Sequence, residues 1–397
     1  MDAARLKRDA RDAVDAMRHQ LLNLSHAIHA NPELSFEEHQ AAALLSDAIE
    51  QAGLEVERSA YGLETAFCSN FGANDGACVA LLAEYDALPG IGHACGHNLI
   101  ATAGVGAGLA LARLGDALPG RIRILGTPAE ETGGGKELMA RCGAFDGVDA
   151  AMMIHPSGLN LINMPCICMA EVEVRYRGTA AHASAMPERG VNALDALVIA
   201  YQAIGALRQH IARDERLHGI ISNGGQAPNI VPDLAIGRFY ARAVDAERLI
   251  ALKRRLEGCF EAGAAATGAK LEIDWCDVDY RDIHFNAPLA ECFQENAEQL
   301  GREFFPVDKL PSNFRGSTDM GNVSYRVPSI HPMIASAPIH CTIHNPEFAK
   351  WAGSEMGDSA ALDGAKALAM TAIDFLCDED LQKRSRSWFE ANATNGT

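Results

Sequence analysis

Four places along the chain bring together residue types that bind metal ions and move protons. His93-Ala94-Cys95-Gly96-His97-Asn98 places a thiol and an imidazole two residues apart. On a regular helix these would face different sides, but at a helix-leading turn containing Gly96 both can face one ion. Thiolate with imidazole suits zinc or a similar borderline cation. Thr127-Pro128-Ala129-Glu130-Glu131 ends a short apolar run with two adjacent acids. One of them can hold a metal while the other takes a proton from water that the metal acidifies to a pKa of about 7. Amide hydrolysis requires that pairing. His155 follows another apolar run, and His340-Cys341-Thr342-Ile343-His344-Asn345-Pro346 supplies two more imidazoles far along the chain. Singly, each has an ordinary explanation: a chance Cys-x-His, an exposed acidic turn, a loop histidine. Their conjunction carries the reading.

The elements that must position these residues read as an α/β layer. Runs 77–83, 121–126 and 150–154 are short, apolar and typical of buried parallel strands. They run into Glu84-Tyr85-Asp86, into the Glu130-Glu131 segment and into His155-Pro156. Ligands bind beyond the carboxyl ends of strands in open parallel sheets, so acids and imidazoles converge on one edge. A cation there would relieve the clustered carboxylates. Residues 1–52 read as helical. Ser35 and Glu38 have capping-box spacing ahead of Ala41, Leu44, Leu45, Ala48 and Ile49, and Gly53 is placed to end that helix. Residues 99–114 read as a further helix.

From about Met169 the pattern changes. Residues 171–177 alternate as a half-exposed strand, and a helix follows over 191–211. Strand-like runs 219–222 and 234–241, a helix over 246–267 and a strand over 270–276 complete a β-α-β-β-α-β order, that of a ferredoxin-like unit. Helical and strand alternation resumes at Pro288. The expected organisation is a mainly parallel α/β catalytic domain over 1–168 and 282–397, interrupted by an α+β insertion over 169–281. The last helix covers 354–377, and the polar tail after Gln382 is expected to fray.

Bulk properties narrow the class. A chain of 397 residues is too long for one core and suggests two domains. The 34 Lys+Arg against 52 Asp+Glu leave a net charge of −18, a poor match to nucleic acid or an anionic membrane. An odd count of 11 cysteines without a small-domain framework fits a reducing, cytoplasmic setting. The first twenty residues carry Asp2, Asp9, Asp12 and Asp15 and no apolar core, so they do not read as a leader. The longest apolar run, 99–112, is shorter than the roughly 20 residues of a membrane span. Gly133-Gly134-Gly135-Lys136 is not a phosphate loop, because Glu130 stands where such a loop needs glycine. Gly104-Val105-Gly106-Ala107-Gly108 lacks a dinucleotide fingerprint's spacing and reads as close helix–sheet packing. No Gly-x-Ser-x-Gly elbow occurs.

The chain resembles metallopeptidase family twenty, the aminoacylase and glutamate carboxypeptidase family. Within it, the chain is similar to the branch of auxin-conjugate amidohydrolases, hippurate hydrolase and aminobenzoyl-glutamate hydrolase. The resemblance rests on 31–35, Asp86-Ala87-Leu88-Pro89, 93–97, 128–131, 178–182, Gly190-Val191-Asn192-Ala193, Asn229-Ile230-Val231-Pro232 and His344-Asn345-Pro346, in the family's order. It implies two divalent metal ions per chain: zinc or manganese, with cobalt a further candidate. It implies that Cys95 bridges them, that His97 and Glu131 complete one site and that His155 and His344 serve the other. It gives Glu130 the role of general base and later proton donor, and Asp86 that of a carboxylate orienting a ligand. The insertion becomes a lid and homodimerisation domain. From it His182 reaches the partner subunit's site to stabilise the oxyanion, while Asn229 and Arg242 hold the substrate carboxylate. The substrate is a small N-acyl amino acid or dipeptide. Residues 316–321 with 329–332 resemble the aminobenzoyl-glutamate hydrolase and β-alanyl-dipeptidase subgroup. Asn98 replaces the branch's usual acid, and Glu84 stands where other branches carry a metal-binding histidine.

Two other classes compete. A thiol hydrolase or transferase would use Cys95 with His93 or His97, but it leaves the paired glutamates without a task. A non-catalytic binding or scaffold protein is opposed by the complete donor set.

Overall fold

The computed structural model describes residues 2–73, 75–311 and 315–393, so the expected domain ends at Met1 and Thr397 lie outside the described residues. The chain opens with α1 (Ala3–Ala16), α2 (Arg18–Ala30) and α3 (His39–Gln51). The side chain of Asp2 caps α1, which buries Leu6, Ala10, Ala13 and Val14 as one stripe. The capping box expected at α3 does not form. The Ser35 hydroxyl donates to Asp86 Oδ2 at 2.9 Å, and the Glu38 carboxylate accepts from Thr65 Oγ1 and the Ala129 N–H, both at 2.8 Å. Glu33 caps the helix instead, accepting the N–H groups of Gln40 and Ala41 at 3.0 and 2.9 Å. Long-range partners thus outcompete the local pattern for Ser35 and Glu38.

Next come β1 (Glu57–Arg58), β2 (Phe67–Gly72), β3 (Cys78–Ala83), α4 (His97–Ala112), β4 (Arg121–Gly126), α5 (Gly135–Arg141), β5 (Ala150–Met152) and β6 (His155–Ser157). Then follow β7 (Cys168–Arg177), α6 (Ala193–Leu207), β8 (Arg216–Asn223), β9 (Leu234–Ala243), α7 (Ala246–Thr267) and β10 (Lys270–Trp275). The chain closes with α8 (Ala287–Glu298), α9 (Met320–Ser324), β11 (Ser329–Ile330), β12 (Met333–Ala335), α10 (Pro346–Ala352), α11 (Glu355–Cys377) and α12 (Glu379–Ala393). These elements form two compact units, one from the segments up to Pro165 and from Ile283 onward, the other from Cys166–Asp282.

The first unit is built on a six-stranded sheet ordered β1-β2-β4-β3-β5-β11. β4, β3, β5 and β11 run parallel, and β2 and β1 turn antiparallel at one edge. A second short parallel pair joins β12 to β6. All six residues of β3 are buried, as a strand covered on both faces requires. Buried α4 packs on this sheet and on α11. A Cβ at Gly104 would stand 2.4 Å from the Leu82 carbonyl oxygen, and one at Gly108 would stand 2.3 Å from Ile124. Glycine at those positions lets helix and sheet backbones approach. The expected frayed tail needs correction: α12 is a helix that returns to the body, with Asn286 Nδ2 donating to the Ser385 carbonyl at 2.7 Å and Trp388 Nε1 to that of Phe285 at 3.2 Å.

The second unit is an antiparallel sheet ordered β10-β7-β9-β8, with the β-α-β-β-α-β sequence expected. β7 alternates buried and half-buried positions, turning Val172, Val174 and Tyr176 toward the side on which Leu197 of α6 and Phe260 of α7 are buried.

Candidate metal centre

Five donor side chains meet where β3, β4 and β5 of the first unit release the chain. Gly96, at φ +79°, ends the turn before α4 and sets Cys95 and His97 toward a common point. Cys95 belongs to two donor groups, one with His97 and His155, the other with Glu131 and His344; within each, the donor atoms lie inside 4.8 Å of one another. Cys95 thus takes a shared position. The grouping pairs His97 with His155 and Glu131 with His344, a different split from that implied by the resemblance. Cys95 Sγ lies 3.4 Å from His155 Nε2. His155 Nδ1 is 2.8 Å from the Pro156 carbonyl, so Nδ1 carries the hydrogen and Nε2 presents its lone pair to the centre. His344, at φ +63°, is anchored by its N–H to the Ala94 carbonyl at 2.8 Å, and its Nε2 lies 3.5 Å from Glu131 Oε2.

Asp86 organises the inner side. Its Oδ1 is 2.9 Å from His97 Nδ1, and its Oδ2 accepts the Glu131 N–H and the Ser35 hydroxyl, both at 2.9 Å. Burial works against its charge, but His97 and these hydrogen bonds prevail and hold its pKa at about 2. Ionised Asp86 therefore fixes the hydrogen of His97 on Nδ1. His97 Nε2 and Glu131 Oε1 then face each other 3.8 Å apart, both buried and both without a hydrogen-bond partner. His97 Nε2 also lies 3.6 Å from Glu84 Oε2. A buried imidazole nitrogen and a buried carboxylate oxygen left without partners, each beside Cys95, are positions that bound cations would satisfy. Burial lifts the Glu131 carboxyl to about 7 and raises the Cys95 thiol well above its ordinary range, with Glu131 the next contributor at Cys95. Loading a cation would reverse both. Thiolate, imidazole and carboxylate suit a borderline divalent ion, so the residues present fit the metals the resemblance implies.

Glu130 stands at the rim, its Oε2 3.9 Å from His97 Nε2, its pKa driven well up by burial and then by Glu84 and Glu131. Beyond it lie Glu84, Lys136 and Asp319, all fully buried. In the sequence, Lys136 belongs only to a failed phosphate loop, and Asp319 only to a resembling stretch. A lysine in the first turn of a helix after a glycine run carries no local mark of burial. His331, also buried, stacks edge-on against His155 with ring centroids 5.2 Å apart.

The remaining expected residues lie on the second unit. His182 pairs with Ile230 in an isolated bridge, and the Ala183 N–H donates to the Asn229 carbonyl at 3.0 Å, so His182 and Asn229 are neighbours. Arg242 is not among them. Asn229 precedes the start of β9 at Leu234, whereas Arg242 lies eight residues along that strand, paired with Met169 and Arg216. At about 3.3 Å per residue this is roughly 26 Å. Asn229 and Arg242 of one protomer therefore stand about a strand's length apart. The guanidinium lies 5.9 Å from the Tyr240 ring centroid, and burial lowers its pKa.

Comparison with known proteins gives a consistent result. Residues 80–372 match Peptidase family M20/M25/M40. The chain is 40% identical to a mouse (Mus musculus) Xaa-Arg dipeptidase over 97% of its own length and 92% of that protein, and 38% identical to the Homo sapiens Xaa-Arg dipeptidase with the same coverage. It is 28% identical to one of the subunits of the Escherichia coli p-aminobenzoyl-glutamate hydrolase, covering 93% and 92%. In fold it is similar to an aminobenzoyl-glutamate utilization protein from Klebsiella pneumoniae, with a TM-score of 0.75, 19% identity and coverage of 92% and 98%. It is also similar to a Bacillus subtilis protein described as a dinuclear metal binding peptidase, with a TM-score of 0.68, 21% identity and coverage of 91% and 99%. With the family match spanning most of the chain, the protein belongs to Peptidase family M20/M25/M40, a family of metal-dependent hydrolases of amide and peptide bonds.

Proposed function

We propose that the chain cuts the amide bond of a small dipeptide or N-acyl amino acid, with Cys95, His97, Glu131, His155 and His344 holding two divalent cations. The observation that carries this is the pair of donor groups that share Cys95, one with His97 and His155 and the other with Glu131 and His344, in which His97 Nε2 and Glu131 Oε1 are buried without hydrogen-bond partners. Zinc, manganese or cobalt bound there would polarise the scissile carbonyl and make water acidic enough to react near neutral pH. Glu130 takes a proton from the attacking water and returns it to the leaving amine. Its high pKa in the unloaded site follows from burial among other carboxylates, and nearby cations would bring it back toward neutrality. Asp86 keeps His97 in the tautomer that ligation needs.

His182 stabilises the oxyanion, and Asn229 and Arg242 bind the substrate carboxylate. The length of β9 between them supports an arrangement in which two protomers supply these groups to one substrate. A homodimer through the second unit has further support in its exposed edge. β8 is an outer strand with Ile220 62% and Ile221 40% exposed, beside Val198 of α6. In this reading the second unit serves as lid and dimerisation domain.

The acyl or side-chain end of the substrate fits a cavity of about 240 Å³ lined by Leu159, Met164, Met333, Ile339 and Ile343, with Arg315 at its wall. Two of its other lining residues, Ser157 and Thr342, lie two positions from His155 and His344. The dipeptidase relatives favour a dipeptide, and one with a C-terminal arginine is the first to try. Among the described residues, no disulfide joins any of the eleven cysteines, which supports the reducing cytoplasm as the site of action. Among the same residues, no helix is long and apolar enough to cross a membrane.

Chelator-stripped protein reloaded with each metal, assayed on a panel of dipeptides and N-acyl amino acids, tests the proposal. Turnover restored by metal on at least one class is expected. Activity indifferent to chelator and abolished by thiol alkylation would instead support the Cys95 nucleophile.

A further inference from the structure

Three carboxylates converge just behind the metal centre, and an ammonium group sits among them. Glu84, Glu130 and Asp319 each bring a carboxylate oxygen within 4.8 Å of the other two. Glu84, Asp319 and Lys136 have no exposed surface, and Glu130 only 6%. Lys136 Nζ donates to Asp319 Oδ1 at 2.6 Å and also pairs with Glu84, while the Lys136 N–H reaches Asp319 Oδ2 at 2.9 Å. The parts of the chain that meet here are the end of β3, the segment after β4, the first turn of α5 and the start of α9. Without the lysine, three dehydrated carboxylates at this spacing would form the donor set of a hard divalent-cation site.

The ammonium differs from a metal in one respect that matters for the reaction. It offers hydrogen bonds without claiming a carboxylate lone pair outright, so Glu130 can still take up and release a proton. A divalent ion in the same place would bind Glu130 directly. We infer that Lys136 is a built-in cation that fills this second carboxylate site and keeps an additional metal ion off Glu130. The consequence for catalysis rests on the proposed role of Glu130; the exclusion of the ion rests on the geometry of the four side chains alone. Lys136 is a positioning residue in this account, because it acts through Glu130, Glu84 and Asp319.

The test counts ions. Wild type and Lys136→Met are stripped with chelator, equilibrated with buffered Mn²⁺, and bound manganese per chain is measured by mass spectrometry. The variant is expected to hold one more ion than wild type, and the double variant Lys136→Met/Asp319→Asn to return to the wild-type count. If near-UV circular dichroism finds Lys136→Met unfolded, Lys136→Gln replaces it, with the same gain expected. Wild type taken to millimolar Mn²⁺ should show no further tight site. Equal counts in variant and wild type, or an extra tight ion in wild type, overturn the inference. The readout is a difference, so an error in the ligands of the main centre would change the wild-type count without changing the gain.

Discussion

Asp86 accepts the Nδ1 hydrogen of His97 across 2.9 Å in a fully buried pair, and this leaves His97 Nε2 without a hydrogen-bond partner among the carboxylates of Glu84, Glu131 and Glu130, at 3.6, 3.8 and 3.9 Å. The same carboxylate accepts the Glu131 N–H at 2.9 Å, so one residue sets the orientation of two donors that the chain places 34 positions apart, at 97 and 131. A site organised in this way depends on groups that never touch the ion.

Asp86→Asn should therefore weaken metal binding although Asp86 is no ligand. The amide can no longer accept as a charge, and it can turn its NH₂ toward Nδ1, favouring the wrong tautomer. A loss of about 10–100-fold in metal affinity is expected, read by titration calorimetry on chelator-stripped protein. Unchanged affinity would remove Asp86 from this role.

Glu130→Gln separates proton transfer from ligation. The variant should keep the wild-type metal content while kcat falls by about 10²–10⁴-fold. Loss of a bound ion along with activity would make Glu130 a ligand rather than the base.

Metal affinity should depend on pH with a definite sign. Burial holds Glu131 at about 7 in the unloaded site, so below that value it carries a proton that a cation must displace. The Cys95 thiol, raised further by burial, must also give up its proton. Affinity is expected to rise as pH goes from 6 to 8, with protons released on binding. Calorimetry in buffers of different ionisation enthalpy measures that release directly; zero release would mean that Glu131 and Cys95 are already ionised before the metal binds.

Protomer mixing tests the division of labour among His182, Asn229 and Arg242. His182→Ala and Arg242→Ala homodimers should each be strongly impaired. After random subunit exchange, half the dimers are mixed and one of their two sites has every native group. Recovery to about a quarter of wild-type activity is expected. No recovery would mean that one protomer supplies both His182 and Arg242 to a site.

Much of the fold was legible because its signals are local. The helix read over 246–267 matches α7, which Asp245 caps and Gly268 ends, and the short runs read as strands are β3 and β4. The clustering of Cys95, His97, Glu131, His155 and His344 was legible because each sits where a strand or turn ends. What the sequence hid depends on distance. Ser35 and Glu38 match a helix cap, but Asp86 and Ala129 claim them from 51 and 91 residues away. Lys136 finds Asp319 across 183 residues, and nothing near either position announces the pair. Asn229 and Arg242 are joined only by what the resemblance implies, and β9 fixes how far apart they stand in one protomer. The polar composition of α12 suggested fraying because its few anchors, such as Trp388 to Phe285, are tertiary.

The central claim is that two cations share Cys95. Anomalous scattering from crystals grown with Mn²⁺ or Zn²⁺ tests it most directly. The account predicts two peaks flanking Cys95 Sγ, one within coordination distance of His97 and His155 and the other of Glu131 and His344. A lone peak away from Cys95, or no peak in fully active protein, would contradict it.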